Sequence, residues 1–183
     1  MTPTAPASSS TVVGIGECRA INSPGGKLIT YALGSCIAVV AWDPLTKTGG
    51  LLHLMLPDSA LDSVRGKNNP ALFADTGIPH LIECCMKLGA SRSRLVLRAA
   101  GGAKVLEQNG MFDIGNRNHI SMRKALWKAG LFLQGEDTGG TLARTVSLEL
   151  NEGLMMIREG GAPWRELPAR RKATAAAAEV AGR

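Results

Sequence analysis

The sequence predicts a mixed α/β fold of the α+β class, built as a single domain. Three observations lead to this prediction. About eight short apolar segments are typical of strands, only two longer segments have helical periodicity, and strands separate those two helices along the chain. We therefore expect both helices to cover one face of a sheet, with a second layer of strands against its other face. The length of 183 residues suffices for one such domain with its own core.

The first half of the chain contains four strand candidates: residues 12–16, 28–33, 36–42 and 51–56. Gly34 separates the second candidate from the third and predicts a bend there. The fourth alternates, so that Leu51, His53 and Met55 share one strand face. Pairing of the third and fourth candidates as a hairpin would bring Cys36 and His53 to the same open end.

Two segments have the spacing of amphipathic helices. The first begins near residues 74–76 and ends at residue 88, before Gly89, a residue suited to a left-handed helix C-cap. Pro79 is expected in or near the first turn of this helix, where its missing N–H costs little. The second helix covers residues 116–129 and stops at Gly130.

The remaining segments complete the predicted elements. Residues 61–69 are polar and contain Gly66, which predicts a loop. Further strand candidates are residues 95–99, 131–134, 143–150 and 154–158.

The two ends of the chain differ from its middle in composition. We expect residues 1–11 to be a disordered arm, residues 12–159 to be the folded domain and residues 160–183 to be a flexible basic tail. The tail contains five of the basic and two of the acidic residues, so it carries +3 of the net charge of +6. A basic tail on a nearly neutral body, with only 4% aromatic residues, argues against a nucleic-acid-binding groove.

Neither a secretory signal nor a membrane anchor is predicted. Residues 1–10 lack the charged start and apolar core of a signal peptide, and no apolar run has the length of a membrane span. The cysteines are Cys18, Cys36, Cys84 and Cys85, and none forms a C-x-x-C pair. We therefore expect reduced thiols in a cytoplasmic protein, with no metal site.

Cys36 and His53 are the candidate catalytic pair, since a thiol and an imidazole are the minimum for a thiolate nucleophile and its base. A neighbouring imidazolium would lower the pKa of Cys36, and backbone N–H groups at Gly34 and Ser35 would form an oxyanion hole. A third residue is needed to orient the imidazole, and both Thr30 and Asp58 are candidates. The alternative interpretation is structural: Cys36 is a small core residue, and His53 is simply hydrogen-bonded.

Several motifs, taken together in order and spacing, resemble the chemoreceptor glutamine deamidases (CheD) of bacterial chemotaxis. No single motif is specific, but the matches run in family order from about residue 12 to residue 158. They are residues 14–17 (GIGE), Thr30, residues 33–36 (LGSC), Gly50, residues 53–59 (HLMLPDS), 74–76 (ADT), 100–103 (AGGA), 114–118 (IGNRN), 136–140 (EDTGG) and Arg144.

The resemblance implies a three-layer α-β-β fold, similar to the catalytic domains of deamidating toxins. It implies a triad in which Cys36 is the nucleophile, His53 the general acid and base, and Thr30 the residue that orients His53. It further implies conversion of receptor glutamines to glutamates through a thioester, with release of ammonia and without metal or organic cofactor. The implied substrates are the helical coiled coils of methyl-accepting chemotaxis receptors, and the chemotaxis phosphatase CheC is an implied partner.

Three other functions remain open at this point. The chain could be mainly a non-catalytic regulator that binds the phosphatase or the receptor, a general cysteine hydrolase of other amides, or a nucleic-acid binder through its tail. We further expect residues 61–69 to form a rim of the substrate cleft, because the substrate is a helical surface rather than a small molecule.

Overall fold

The computed structural model describes residues 10–104 and 113–169. In this part of the chain ten strands and three α-helices occur, together with short 3-10 helices at Ser59–Leu61, Pro70–Leu72 and Arg92–Arg94. The strands are β1 (Ser10–Val12), β2 (Cys18–Ile21), β3 (Lys27–Leu33), β4 (Ile37–Trp42), β5 (Gly49–Leu54), β6 (Val96–Gly101), β7 (Gly135–Thr138), β8 (Arg144–Glu149), β9 (Leu154–Glu159) and β10 (Arg165–Glu166). The helices are α1 (Ser63–Asn68), α2 (Ala74–Lys87) and α3 (Ile114–Lys128).

Two five-stranded sheets organise the domain. The first has the strand order β1-β3-β8-β9-β10, and the second has the order β2-β5-β4-β6-β7. Most pairs are antiparallel, whereas β1 with β3 and β6 with β7 are parallel. The predicted hairpin is present as β4 and β5, and the mixture of helices with two sheets confirms the α+β class.

Strand β4 lies at the centre of the second sheet and is buried on both faces. Ile37, Val39 and Ala41 belong to the apolar cluster that includes residues of α2 and α3, whereas Ala38 and Val40 belong to the cluster shared with the first sheet. Burial on both faces explains why β4 is a continuous apolar run. An alternating pattern would place polar side chains in one of the two apolar clusters. Helices α2 and α3 therefore cover one face of the second sheet, as predicted for the two helices, and the first sheet covers its other face.

The predicted loop at residues 61–69 is wrong, because most of it forms helix α1. The Asp62 carboxylate accepts a hydrogen bond of 2.9 Å from the N–H of Arg65 and caps the helix N-terminus. Gly66 allows close packing, since a Cβ atom there would lie 2.8 Å from the Cβ of Ser59. A polar, glycine-containing segment is thus helical here because of one cap and one tight contact.

The predicted strand at residues 131–134 is also wrong. The strand in this region is β7, which begins at Gly135, and the preceding residues connect α3 to it. Gln134, the residue before β7, is hydrogen-bonded to Leu97 of β6 and so positions the start of β7 beside that strand. Its N–H donates to the Leu97 carbonyl, and its side-chain oxygen accepts from the Leu97 N–H. The polar sequence of β7 gives no apolar signal, since this strand lies at the edge of the sheet.

Helix α2 begins at Ala74, so Pro79 lies inside it, one turn further along than expected. Both helix ends predicted from glycine are confirmed, since Gly89 and Gly130 have φ values of +92° and +64°. No helix among the described residues is long and apolar enough to cross a membrane.

The chain ends lie partly outside the described residues. Within the segment assigned to the tail, Arg165 and Glu166 pair with β9, and Leu167 is buried. At the other end, Ser10–Val12 forms β1. The rest of the expected arm and tail, residues 1–9 and 170–183, lies outside the described residues.

Candidate active site

The register of β4 and β5 places Cys36 and His53 on the same face of the second sheet. Ala38 lies opposite His53, and Cys36 immediately precedes β4, two residues from Ala38. Side chains two residues apart share a strand face, and diagonal neighbours across a strand pair lie about 7 Å apart. Both side chains therefore point toward the first sheet, as the predicted hairpin requires.

Thr30 reaches His53 from the opposite sheet. Its hydroxyl lies 2.7 Å from His53 Nδ1, and the same hydroxyl lies 2.7 Å from the carbonyl of Val13. Asp58, the other candidate for orienting the imidazole, instead accepts from the Ala60 N–H at 2.8 Å and begins a 3-10 helix. Of the two candidates, Thr30 is thus the residue in contact with His53.

These two contacts determine which nitrogen of His53 carries its proton. A carbonyl can only accept, so the single hydroxyl proton of Thr30 is donated to Val13. The hydroxyl oxygen must then accept from His53, which places the imidazole proton on Nδ1. The lone pair consequently lies on Nε2, which is buried and has no hydrogen-bond partner among the described residues. An unpartnered basic nitrogen on the sheet face that the thiol shares is available to act as a general base.

Burial keeps both groups uncharged. His53 is 1% exposed, and burial lowers its pKa to about 4. Burial also raises the pKa of the Cys36 thiol, an effect partly offset by a hydrogen bond from its own backbone N–H. The expected lowering of the Cys36 pKa is therefore wrong in direction. With a neutral thiol and a neutral imidazole on one sheet face, the thiolate would have to form by proton transfer to Nε2 during the attack.

The loop from Gly34 to Cys36 is held by its carbonyls. Ala103 N–H donates to the Gly34 carbonyl and Gly102 N–H to the Cys36 carbonyl, each at 2.8 Å. The Gly34 N–H, expected to serve the oxyanion hole, instead donates to the Ala32 carbonyl at 2.9 Å. Among the described residues, the N–H groups of Ser35 and Cys36 have no backbone acceptor. With its carbonyls fixed, the loop can present the N–H groups of Ser35 and Cys36 to a developing oxyanion, the second of which lies against its own thiol in the resting site.

A β-bulge separates Thr30 from this loop. The pairing of β3 with β8 shifts between Thr30 and Leu33, and Ala32 there has a left-handed φ of +56°. Such a conformation is uncommon for a residue with a Cβ atom and occurs often at functional sites. The bulge redirects the chain from the strand that holds Thr30 to the loop that holds Cys36.

Asn118 is a site residue whose role the sequence analysis did not recognise. It is fully buried on α3, and its side-chain N–H₂ donates to the carbonyls of Ser35 and Met55, both at 2.9 Å. It therefore ties the residue before Cys36 to the residue two beyond His53. A signal was present in the sequence, since Gly115, Asn118 and Met122 share one helical stripe in which Asn118 is the polar member.

Replacement of Asn118 by alanine should reduce both the stability of the fold and the rate of catalysis, with the larger effect on catalysis. It leaves two partly buried carbonyls without this donor, which should lower the free energy of unfolding by about 2 kcal/mol. It should also lower kcat by about 10- to 100-fold with little change in KM, because the Cys36 loop shifts relative to His53. Urea unfolding and steady-state kinetics measure the two effects. The exposed Asn116 on the same helix supplies the control, Asn116→Ala, and an unchanged kcat in Asn118→Ala would refute the positioning role.

The buried His53 should also make stability depend on pH. Because its folded pKa of about 4 lies below the ordinary value of 6.5, the unfolded chain binds the proton more readily. The contribution of His53 to the free energy of unfolding is fully present above pH 6.5. It decreases by up to about 3 kcal/mol as the pH falls toward 4. In urea unfolding between about pH 7 and pH 5, His53→Asn should lack this part of the slope. Equal slopes in the two proteins would mean that His53 is not held neutral.

The other two histidines lie outside this arrangement. His119 contacts the Glu136 carboxylate on the surface of α3 and β7, and His80 lies on α2 beside Cys84.

Comparison with known proteins gives a consistent set of similarities. The family profile described as CheD chemotactic sensory transduction matches residues 55–159. The probable chemoreceptor glutamine deamidase CheD of Solibacter usitatus is 51% identical over 150 residues, which cover 82% of this chain and 89% of the relative. The corresponding CheD 1 of Syntrophus aciditrophicus is 47% identical over 156 residues, 85% of this chain and 98% of the relative. The chemoreceptor glutamine deamidase CheD of Thermotoga maritima is 42% identical over 151 residues, 82% of this chain and 92% of the relative.

Proposed function

Because the chain belongs to the CheD family, whose curated members are named chemoreceptor glutamine deamidases, we propose that it converts receptor glutamines to glutamates in chemotaxis adaptation. One observation carries the proposal for this chain: Thr30 holds His53 with its Nε2 lone pair free, on the face that Cys36 shares. The reaction is hydrolysis of a side-chain amide, in which glutamine and water give glutamate and ammonia. Since reduced thiols persist in the cytoplasm, we assign the enzyme to that compartment.

The first half-reaction forms a thioester. Cys36 Sγ attacks the amide carbon while its proton passes to His53 Nε2, so a neutral pair supplies the nucleophile. The carbonyl oxygen becomes an oxyanion that the N–H groups of Ser35 and Cys36 stabilise, with Gly34 leaving space beside them. As the tetrahedral intermediate collapses, the carbon–nitrogen bond breaks and His53 gives its proton to the leaving ammonia.

The second half-reaction releases glutamate. His53 Nε2 removes a proton from water, and the resulting hydroxide attacks the thioester carbon. The carbon–sulfur bond then breaks, and Cys36 recovers its proton from His53. Throughout, Thr30 keeps the imidazole proton on Nδ1, so that the same nitrogen serves as base and acid. Thiol and imidazole supply all the groups that these steps require, without metal or organic cofactor.

Helix α1 is suited to be the rim that contacts the receptor. It connects through residue 69 to Leu72, against which Gly16 packs, and the Gly16 N–H donates to the carbonyl of His53 at 2.8 Å. Its outer surface is formed by the exposed residues Val64, Arg65 and Lys67. On the helix surface Val64 lies between the basic side chains of Arg65 and Lys67. This combination of apolar and basic groups complements a helical receptor surface that gains a carboxylate at each converted glutamine.

Reversal of both charges on α1, Arg65→Glu with Lys67→Glu, should weaken receptor recognition without disabling the chemistry. We expect KM for a receptor fragment to rise about tenfold, with kcat unchanged within about twofold, because the charges act before the reaction begins. Kinetics at low and high salt measure this difference, which should shrink as salt screens the charges. An equal loss in kcat and kcat/KM would place α1 in the catalytic machinery instead.

The proposal is tested by incubating the full chain with a receptor cytoplasmic fragment and mapping glutamine-to-glutamate conversion by peptide mass spectrometry. Conversion confined to particular glutamines supports a receptor deamidase. Conversion of short unstructured peptides at a similar rate would favour a general amide hydrolase. No conversion by well-folded protein would contradict the proposal and favour a non-catalytic regulator that binds the receptor or the phosphatase CheC.

A further inference from the structure

Three potential metal ligands meet on the side of the second sheet that faces the helices. Cys18 lies in β2, and His80 and Cys84 lie in α2. Their ligand atoms, two sulfurs and an imidazole nitrogen, all lie within 4.8 Å of one another. Cys18 pairs with Leu52 and packs against the helix-facing core, so the sheet separates this cluster from His53.

The fold brings these side chains together for simple reasons. His80 and Cys84 are four residues apart, so one face of α2 presents both. Their Nε2 and Sγ atoms are 3.6 Å apart. Two ligands on one tetrahedral zinc ion, with Zn–S of about 2.3 Å and Zn–N of about 2.0 Å, are separated by about 3.6 Å. The helical pair therefore already has the separation that zinc imposes, and Cys18 Sγ lies within 4.8 Å of both atoms as the third ligand of a trigonal base.

We propose that Cys18, His80 and Cys84 bind one Zn²⁺ ion, with the fourth coordination position open to water. Thiolate and imidazole ligands favour zinc over the hard cations magnesium and calcium. Two thiolates balance the charge of the ion, so no carboxylate is required. All three residues are half-buried, which leaves the ligand atoms accessible to an ion while restricting their motion.

The neighbouring cysteine is excluded from the site and supplies a matched control. Cys85 is fully buried, and its Sγ faces Gly50, where a Cβ atom would lie only 2.6 Å from it. It thus points into the core beneath β5. No metal site was expected from the sequence, because no two cysteines form a C-x-x-C pair. The proposed ligands come from two elements about 60 residues apart, a separation that spacing rules do not detect.

A bound ion would join β2 to α2. Strand β2 is one of the two edge strands of the second sheet, and within the part of the chain that the structure describes it pairs only with β5. A metal crosslink from this edge strand to the covering helix would stabilise the layer beneath the catalytic hairpin, by the linkage between metal binding and folding. The site is structural in this role and touches none of the reacting atoms.

Cobalt titration of the full chain, kept reduced and anaerobic, tests the proposal. We expect one equivalent of Co²⁺ to give thiolate-to-cobalt charge transfer and the intense visible bands of a tetrahedral site, both displaced by Zn²⁺. Cys18→Ser, His80→Ala and Cys84→Ser should each weaken zinc binding by at least about 100-fold, whereas Cys85→Ala and Cys36→Ala should retain it. Zinc should raise the melting temperature of the parent and of Cys85→Ala, and not that of Cys84→Ser.

Several results would overturn the proposal. One is a reduced parent chain that binds no metal or gives only the weak spectrum of octahedral cobalt. Another is a cobalt signal that disappears in Cys36→Ala but persists in Cys84→Ser, which would place the ion at the catalytic thiol. A third is a Cys18–Cys84 disulfide that forms readily and whose reduction restores no metal binding, which would make the cluster a redox pair.

Discussion

Replacement of Cys36 by alanine should abolish conversion of receptor glutamines, with a loss of at least about 10⁴-fold in kcat/KM. In the proposed mechanism the sulfur of Cys36 bonds to the amide carbon, and alanine offers no substitute for it. The fold should survive, because Cys36 is a small residue at the end of the inter-sheet cluster and the change removes a single atom.

The measurement is peptide mass spectrometry of a receptor fragment after incubation with each protein. Cys85→Ala is the matched control, since it removes a buried thiol from the helix-facing core and should leave kcat within about twofold. Circular dichroism and urea unfolding establish that the inactive variant is folded. Conversion at the parental rate by Cys36→Ala would show that another group is the nucleophile.

Replacement of Thr30 by valine should be the next most damaging change, with kcat reduced by about 10²- to 10⁴-fold. Valine has nearly the shape of threonine but no hydroxyl. The Nδ1 proton of His53 then loses its acceptor, and the carbonyl of Val13 loses its donor. The imidazole is free to carry its proton on Nε2, where it can no longer accept one from Cys36.

Two further measurements distinguish this positioning role from a merely structural one. Thr30→Ser keeps the hydroxyl and should recover kcat to within about tenfold of the parent. Nitrogen NMR of His53 should show the proton on Nδ1 in the parent and in Thr30→Ser, and a shift toward Nε2 in Thr30→Val. A valine variant that is less stable but retains both kcat and the Nδ1 proton would contradict the role assigned to Thr30.

The parts of the site that sequence could predict are those set by local patterns. The alternation of side chains around His53 indicated which strand face His53 occupies, and the apolar run after Cys36 indicated strand β4. Together these two patterns predicted the hairpin that β4 and β5 form. The helix ends at Gly89 and Gly130 were predictable because a left-handed C-cap has a residue preference of its own. In each case the neighbours along the chain determine the structure.

The parts that sequence could not predict depend on contacts between distant segments. Strand β7 is polar because Asp137 pairs with Arg144 and Glu136 with Arg123 at the sheet edge, so no apolar pattern marks it. The family resemblance implied Thr30 as the partner of His53, but the local pattern alone did not distinguish it from Asp58, since that choice depends on how the two sheets stack. The pKa directions of Cys36 and His53 follow from burial between those sheets, which no local pattern reports.

The hydrogen bond from His53 to Thr30 joins one sheet to the other. The complete site therefore exists only when both sheets are folded and packed together. A chain that has formed only the β4–β5 hairpin possesses a thiol and an imidazole but lacks the acceptor that orients the imidazole. If the proposed triad carries the activity, partly folded copies should therefore be poor hydrolases and should not attack the amides of other proteins until both sheets have assembled. Loss of activity on heating should accordingly coincide with separation of the sheets, which makes the reaction itself a reporter of complete folding.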